Sequence, residues 1–99
     1  QSNLGTAYAD LAAIKHREEN LWRAIQAFEA ALQYLTPDTA PLDFADTQRN
    51  LGLVYRDLGD IEKAIYCWRE AEHHYRQMGR IEDADMMQRG IDSWINGTE

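Results

Sequence analysis

The amino-acid sequence predicts an all-α fold built from repeated helical hairpins. Residues 3–8, Asn-Leu-Gly-Thr-Ala-Tyr, return at 50–55 as Asn-Leu-Gly-Leu-Val-Tyr, with four of the six positions identical. Further along, the block at 24–31 returns in the same order at 64–71, as Ala-Ile, then an aromatic residue, then Ala. Two blocks repeated in order indicate internal duplication. Apolar residues spaced three and four apart within them indicate helices.

The first repeat predicts helices over 2–15 and 20–35. Asn20 is a suitable N-cap for the second of these, and Pro37 and Pro41 close it and the following linker. An apolar stripe at helical spacing runs along this second helix: Leu21, Ala24, Ile25, Phe28, Ala31, Leu32 and Leu35.

The second repeat predicts helices over 43–58 and 60–78, separated by Gly59 and Asp60 as helix stop and N-cap. Gly52 lies on the apolar face of the first of these helices and costs about 1 kcal/mol of helix propensity relative to alanine. We expect that cost to be offset by close approach of the next helix. The two apolar faces comprise Gln48, Leu51, Gly52, Tyr55 and Leu58, and then Ile61, Ala64, Ile65, Trp68, Ala71 and Tyr75.

A fifth helix is predicted over 81–95, without the repeated signature. Its apolar set is Ile81, Ala84, Met87, Ile91, Trp94 and Ile95, and its polar side carries Glu82, Asp83, Asp85, Arg89 and Asp92. A terminal helix with one polar face is typical of the cap that seals a stack of repeats.

The pattern Leu-Gly-x-x-Tyr followed by Ala-x-x-x-aromatic-x-x-Ala resembles the tetratricopeptide repeat (TPR). The second unit fits that family, with twelve residues from Gly52 to Ala64, whereas nineteen separate Gly5 from Ala24 in the first. The expanded spacing is similar to the longer-period repeats of large bacterial signalling proteins. The resemblance implies an alpha-alpha superhelix of two TPR-like units followed by a C-terminal capping helix.

These features predict one domain over 1–99. Its parts are a first helix pair with an insertion at 1–36, a second pair at 43–78 and the capping helix at 80–96. Because the chain begins at Gln1 and not at methionine, we expect it to be a fragment of a larger protein.

In the TPR family the first helix of each pair lines a concave groove that holds a peptide or a partner helix. The resemblance therefore implies a partner-binding groove, which receives Asp46, Arg49, Leu53 and Arg56 from the second unit and Ser2, Thr6 and Ala9 from the first. Helical projection also places the four residues of the second unit opposite Leu51 and Tyr55.

Arg49 and Arg56 are two helical turns apart with Leu53 between them. Two guanidinium groups beside an apolar spot suit a carboxylate-bearing segment of a partner protein. The alternative is that Arg49 pairs with Asp46 and Arg56 with Asp60 along the helix, leaving only a solvated charged face.

The net charge of −7 and the pI near 4.8 disfavour binding to nucleic acid or to anionic membranes. No apolar stretch is long enough to cross a bilayer. The single cysteine, Cys67, argues against a disulfide framework and for a reducing, cytoplasmic location.

No catalytic motif, cofactor loop or metal-ligand spacing is present, so we expect no enzyme activity, no cofactor and no metal. His73 and His74 are neighbours on a helix and therefore diverge, which predicts a solvated face and not a chelating pair. Cys67 is interpreted as a semi-buried packing residue. Trp22 and Tyr66 project away from the apolar stripes, and Trp22 either packs under the insertion or marks a contact surface.

The sequence thus favours a non-catalytic module that binds a peptide or helix of another protein. The alternative is a structural segment, a C-terminal cap that associates with a second copy of itself inside a larger signalling protein.

Overall fold

A computed structural model describes residues 16–96 together with Leu4 and Ala7. Over 16–96 the regular structure is entirely helical, which confirms the predicted all-α class. The helices are α1 (Arg17–Leu32), α2 (Pro41–Leu58), α3 (Ile61–Gln77) and α4 (Ile81–Ile95). Each packs against the next along the chain. The helix predicted over 2–15, and Thr6 with it, lies outside the residues described.

Helix α1 begins and ends three residues earlier than predicted, and Asn20 is not its N-cap. His16 occupies that position with a φ of 34°, and the backbone N–H of Asn20 donates to the His16 carbonyl at 2.9 Å inside the first turn. Glu18 and Glu19 in this turn favour the earlier start because carboxylates stabilise the positive end of the helix dipole.

The turn between α2 and α3 is the one that the sequence predicts. Gly59 adopts a left-handed conformation with a φ of 88°, and the Asp60 side chain accepts a hydrogen bond from the Lys63 backbone N–H at 3.2 Å. Only these two residues separate two helices that pack together, so α2 and α3 form an antiparallel hairpin. Helix α2 begins two residues earlier than predicted because Pro41 is tolerated in its first turn.

Helix α3 belongs to both parts of the core. One cluster joins α1 and α2 to Ala64 and Cys67 of α3, and the other joins Ala45 of α2 and residues of α4 to Trp68, Ala71 and Tyr75 of α3. The first comprises Leu21, Ala24, Ile25, Phe28, Leu51, Val54, Tyr55, Ala64 and Cys67, and the second Ala45, Trp68, Ala71, Tyr75, Ala84, Met87 and Ile91. The adjacent residues Cys67 and Trp68 therefore belong to different clusters.

The predicted close approach at Gly52 is confirmed. A β-carbon at this position would lie 2.5 Å from Cδ1 of Trp68, a distance that real side chains do not allow. The indole Nε1 of Trp68 also donates to the Arg49 backbone carbonyl at 3.3 Å. The missing side chain thus lets the largest residue of α3 lie against the backbone of α2.

Helix α4 buries less of its apolar set than predicted. Ala84, Met87 and Ile91 are buried, whereas Ile81, Trp94 and Ile95 are about half exposed. The three buried residues pack in the cluster that α4 shares with α3, and the three exposed ones lie at the two ends of α4. In the described part of the chain no helix is sufficiently long and apolar to span a membrane.

Candidate functional site

A groove between α2 and α4 brings together three of the residues predicted to bind a partner. Arg49, Leu53 and Arg56 line it from α2, and Met86, Met87 and Gly90 line it from α4, around a volume of about 340 Å³. Trp68 of α3 forms its base and is only 4% exposed. We call this surface the α2–α4 groove.

Asp46, the fourth predicted residue on α2, is not among those that line the groove. Its carboxylate accepts a hydrogen bond from the buried hydroxyl of Tyr75 and lies 3.8 Å from Nη1 of Arg49. Asp46 therefore ties α2 to α3 beside the groove and compensates part of the Arg49 charge.

The ion pairs expected along α2 are found for one arginine and not for the other. Arg49 pairs with Asp46, as the alternative interpretation predicts, but at 3.8 Å the contact is too long for a hydrogen bond. Arg56 pairs with its neighbour Asp57 at 3.1 Å and not with Asp60. Asp60 lies beyond the Gly59 turn, where its carboxylate caps α3 and faces Lys63 at 3.9 Å.

The α4 side of the groove was missed by the sequence analysis, which assigned this helix only a capping role. Met86 is 51% exposed, and Met86 and Gly90 lie one turn apart on the face of α4 that borders α2. The sequence does contain a pattern that indicates them: Met86, Gly90 and Trp94 are spaced four residues apart and form a second strip of α4 beside the buried residues Met87 and Ile91.

A second depression lies between α1 and α3, with α2 beneath it. Its volume is about 300 Å³, and its lining comprises Glu29, Leu32, Gln48, Leu51, Tyr55, Lys63, Tyr66 and Cys67. The Tyr55 hydroxyl donates to Glu29 Oε2 at 3.1 Å, and the Lys63 ammonium lies 5.5 Å from the centre of the Tyr55 ring. We call this surface the α1–α3 cleft.

Cys67 is a packing residue, as predicted, and more completely buried than expected, with 3% of its surface exposed. Burial, together with the nearby carboxylates of Glu29 and Glu70, raises the pKa of its thiol to about 12, and burial is the largest of these causes. Burial also raises the pKa of Tyr55 to about 12, with Glu29 the next contributor. A thiol that holds its proton at neutral pH is a poor nucleophile and a poor metal ligand.

The remaining polar and aromatic candidates do not converge on a site. His73 is exposed, and His74 packs edge-on against Phe44 with ring centres 4.9 Å apart. Tyr66 is 61% exposed, as predicted, and Trp22 is 52% exposed, which contradicts the first of its two alternatives, that it packs under the insertion. Among residues 16–96, no group of three or more His, Cys, Asp or Glu side chains is placed to hold a metal ion.

Comparison of the chain with protein-family models, with curated proteins and with solved structures found no match. The geometry of the two surfaces is therefore the basis for assigning a function.

Proposed function

We propose that the chain is a non-catalytic protein-interaction module of the TPR type. Support for the TPR assignment comes from the repeated Leu-Gly-x-x-Tyr and Ala-x-x-x-aromatic-x-x-Ala blocks and from the packing that they predict. In the second unit the glycine of the first block accommodates the aromatic residue of the second, Trp68 against Gly52. On this proposal α2 and α3 form the second unit and α4 is the helix that follows it.

The occupant that we propose for the α2–α4 groove is an acidic, amphipathic helix or peptide of another protein. The observation that carries this proposal is a pair of arginines beside an apolar base on a chain with a net charge of −7. Leu53 is 37% exposed and Met86 is 51% exposed, so both offer apolar surface to a ligand. Methionine adapts its shape to different apolar partners.

The existing ion pairs leave the arginines able to bind a second carboxylate. Arg56 donates to a single oxygen of Asp57 from Nε and Nη2, at 3.3 and 3.1 Å. Arg49 approaches Asp46 only to 3.8 Å. A guanidinium group has five N–H donors, and a fork-shaped contact with a carboxylate uses two of them. Both arginines are therefore suited to direct contact with acidic side chains of a partner.

The test is fluorescence anisotropy with a labelled probe peptide of about four helical turns, leucine on one face and glutamate on the other. We expect it to bind about tenfold more tightly than the same peptide with lysine in place of glutamate. The double variant Arg49→Glu, Arg56→Glu should reverse this preference. The matched control is Arg23→Glu on α1, which breaks an exposed pair with Glu19 far along the chain from the groove.

Equal binding of the two peptides, or no binding of either at millimolar concentration, contradicts the proposed occupant. Retention of the acidic preference by the double variant contradicts the proposed site.

Self-association is a second candidate, favoured by four large apolar residues of α4 that are about half exposed: Ile81, Met86, Trp94 and Ile95. Exposed apolar surface concentrated on one helix is typical of a contact between copies. Light scattering over a range of concentrations, on the chain and on Leu53→Glu, separates the candidates. If the unmodified chain and Leu53→Glu are both monomeric, the result favours binding to another protein. A dimer that survives the substitution favours association through α4 away from the groove, and a dimer lost with helicity retained places it in the groove.

We also propose a cytoplasmic location, because the chain has one cysteine and that thiol is buried and protonated.

A further inference from the structure

We propose that the α1–α3 cleft is a binding site for a small neutral aromatic molecule that carries one ring N–H or O–H donor. This site is independent of the α2–α4 groove. The proposal begins with Gln48, which lines the cleft and is 7% exposed. Its Oε1 atom is buried and has no hydrogen-bond partner.

A buried amide oxygen without a donor is rare because its lost hydration is not replaced. Gln48 lines the cleft, and the final torsion of a glutamine side chain has a broad energy profile, so its amide group can turn towards a ligand there. A ligand that supplies one donor there would complete the hydrogen bonding of Gln48. The cleft therefore favours a ring with a donor over the same ring without one.

The shape and walls of the cleft fit an aromatic ring. Leu51 lies at the base, Leu32 and Tyr66 border it from α1 and α3, and the volume of about 300 Å³ is at the small end for ligand sites. Tyr66 is 61% exposed, so its ring forms a wall that is accessible from outside. A volume of this size suits one fused ring system and not an extended chain.

The charges at the cleft point to a neutral ligand. It is lined by one carboxylate, Glu29, and one ammonium group, Lys63, whose charges oppose each other. Glu29 already accepts the Tyr55 hydroxyl, and Lys63 faces both the Tyr55 ring and Asp60. An anion attracted by Lys63 would be repelled by Glu29, and a cation attracted by Glu29 would be repelled by Lys63.

The experiment titrates the ¹⁵N-labelled 99-residue chain with indole and, separately, with benzothiophene, a ring of similar shape without the N–H. We expect indole to shift the amide signals of Leu51, Tyr66 and Cys67 and to bind about fivefold more tightly than benzothiophene. Gln48→Leu keeps the volume and removes the acceptor, so the two ligands should then bind equally. Tyr66→Ala should weaken both, whereas Tyr34→Ala, which removes an exposed tyrosine outside the cleft, should weaken neither.

Four results would overturn the proposal: no shifts at millimolar indole, shifts confined to another surface, equal affinity of the two ligands for the unmodified chain, or an indole preference that survives Gln48→Leu. Because Gln48→Leu removes an unpaired polar group and Tyr66 is exposed, we expect both variants to fold, which a far-ultraviolet spectrum checks.

Discussion

The α2–α4 groove and the α1–α3 cleft are built alike but present polar groups in different places. Each lies between two helices that are not consecutive and has the intervening helix at its base, α3 in one case and α2 in the other. In the groove the base is the apolar ring of Trp68 and the charged groups, Arg49 and Arg56, lie at the sides. In the cleft the unpaired polar atom is at depth, on Gln48, and the side charges oppose each other.

Because of this difference, the two surfaces are expected to select their ligands in two ways. Charges at the edge of a surface stay hydrated and select a partner by long-range attraction and by its charge. A buried acceptor cannot be hydrated and selects by the presence or absence of a single donor. Under the two proposals, the groove would accept a class of sequences and the cleft a particular small molecule.

The largest expected effect is at the base of the groove. Gly52→Ala places a β-carbon 2.5 Å from Cδ1 of Trp68, so the ring or α2 must move. We expect the free energy of unfolding to fall by about 2 kcal/mol, although alanine is the better helix former. Urea denaturation followed by circular dichroism measures it.

Gly90→Ala is the matched control for that substitution. Its β-carbon would lie 3.7 Å from the same ring, an ordinary contact, so we expect no loss and a gain of up to about 1 kcal/mol. If the two variants have the same stability, close packing of Trp68 on Gly52 does not support the groove.

A smaller effect compares the tyrosine–carboxylate hydrogen bonds beside the two surfaces. Tyr75 is completely buried and donates to the half-buried Asp46, whereas Tyr55 donates to the exposed Glu29. We expect Tyr75→Phe to cost about 1.5 kcal/mol and Tyr55→Phe about 0.5 kcal/mol, because water can replace the donor at Glu29 more easily. Equal losses in urea denaturation would mean that the two carboxylates are equally hydrated.

The last effect concerns the cleft and depends on pH. Burial holds the Cys67 pKa at about 12, above the ordinary thiol value of 9.0, so above pH 9 the unfolded chain loses a proton that the folded chain keeps. Proton loss stabilises the unfolded chain, and the free energy of unfolding should fall by about 1 kcal/mol between pH 9 and 10. In Cys67→Ala the decline should begin nearer pH 10, where Tyr55 starts to contribute in the same direction.

The measurement is urea denaturation from pH 7 to 10.5 with a reductant present. For each protein we compare how the free energy of unfolding changes with pH, because the substitution also removes packing and so lowers the stability at every pH. Parallel pH profiles for the two proteins would rule out a protonated buried thiol.

The helices and most core positions could be predicted because they depend on local spacing. Helix α4 has the predicted bounds, and the turn at Gly59 and Asp60 follows from their backbone and capping preferences. The start of α1 was missed because Asn20 is a good N-cap in isolation, whereas in the structure it is 8% exposed and lies inside the helix, which begins at Arg17. The capping preference of Asn20 therefore did not determine where the helix begins.

The residues of α2 that line the groove could be identified from the sequence, but those of α4 could not, for a related reason. Helical projection shows which way Arg49, Leu53 and Arg56 point, but not which helix they face. Met86 and Gly90 face them because α4 packs along α3 with its strip displaced towards α2, a relation set by tertiary packing. The predicted ion pair of Arg56 with Asp60 was also wrong, because the helix ends at Gly59 and the chain reverses before Asp60; Arg56 pairs with Asp57 instead.

The burial of Trp68 has a spectroscopic consequence. Trp22 and Trp94 are 52% and 45% exposed, whereas Trp68 is 4% exposed and hydrogen-bonded to a backbone carbonyl. Replacing the two exposed indoles with phenylalanine would leave one tryptophan, in an apolar environment at the base of the groove. Its emission maximum should lie at short wavelength and should respond when a ligand fills the space above it. The protein thus contains its own optical reporter of groove occupancy.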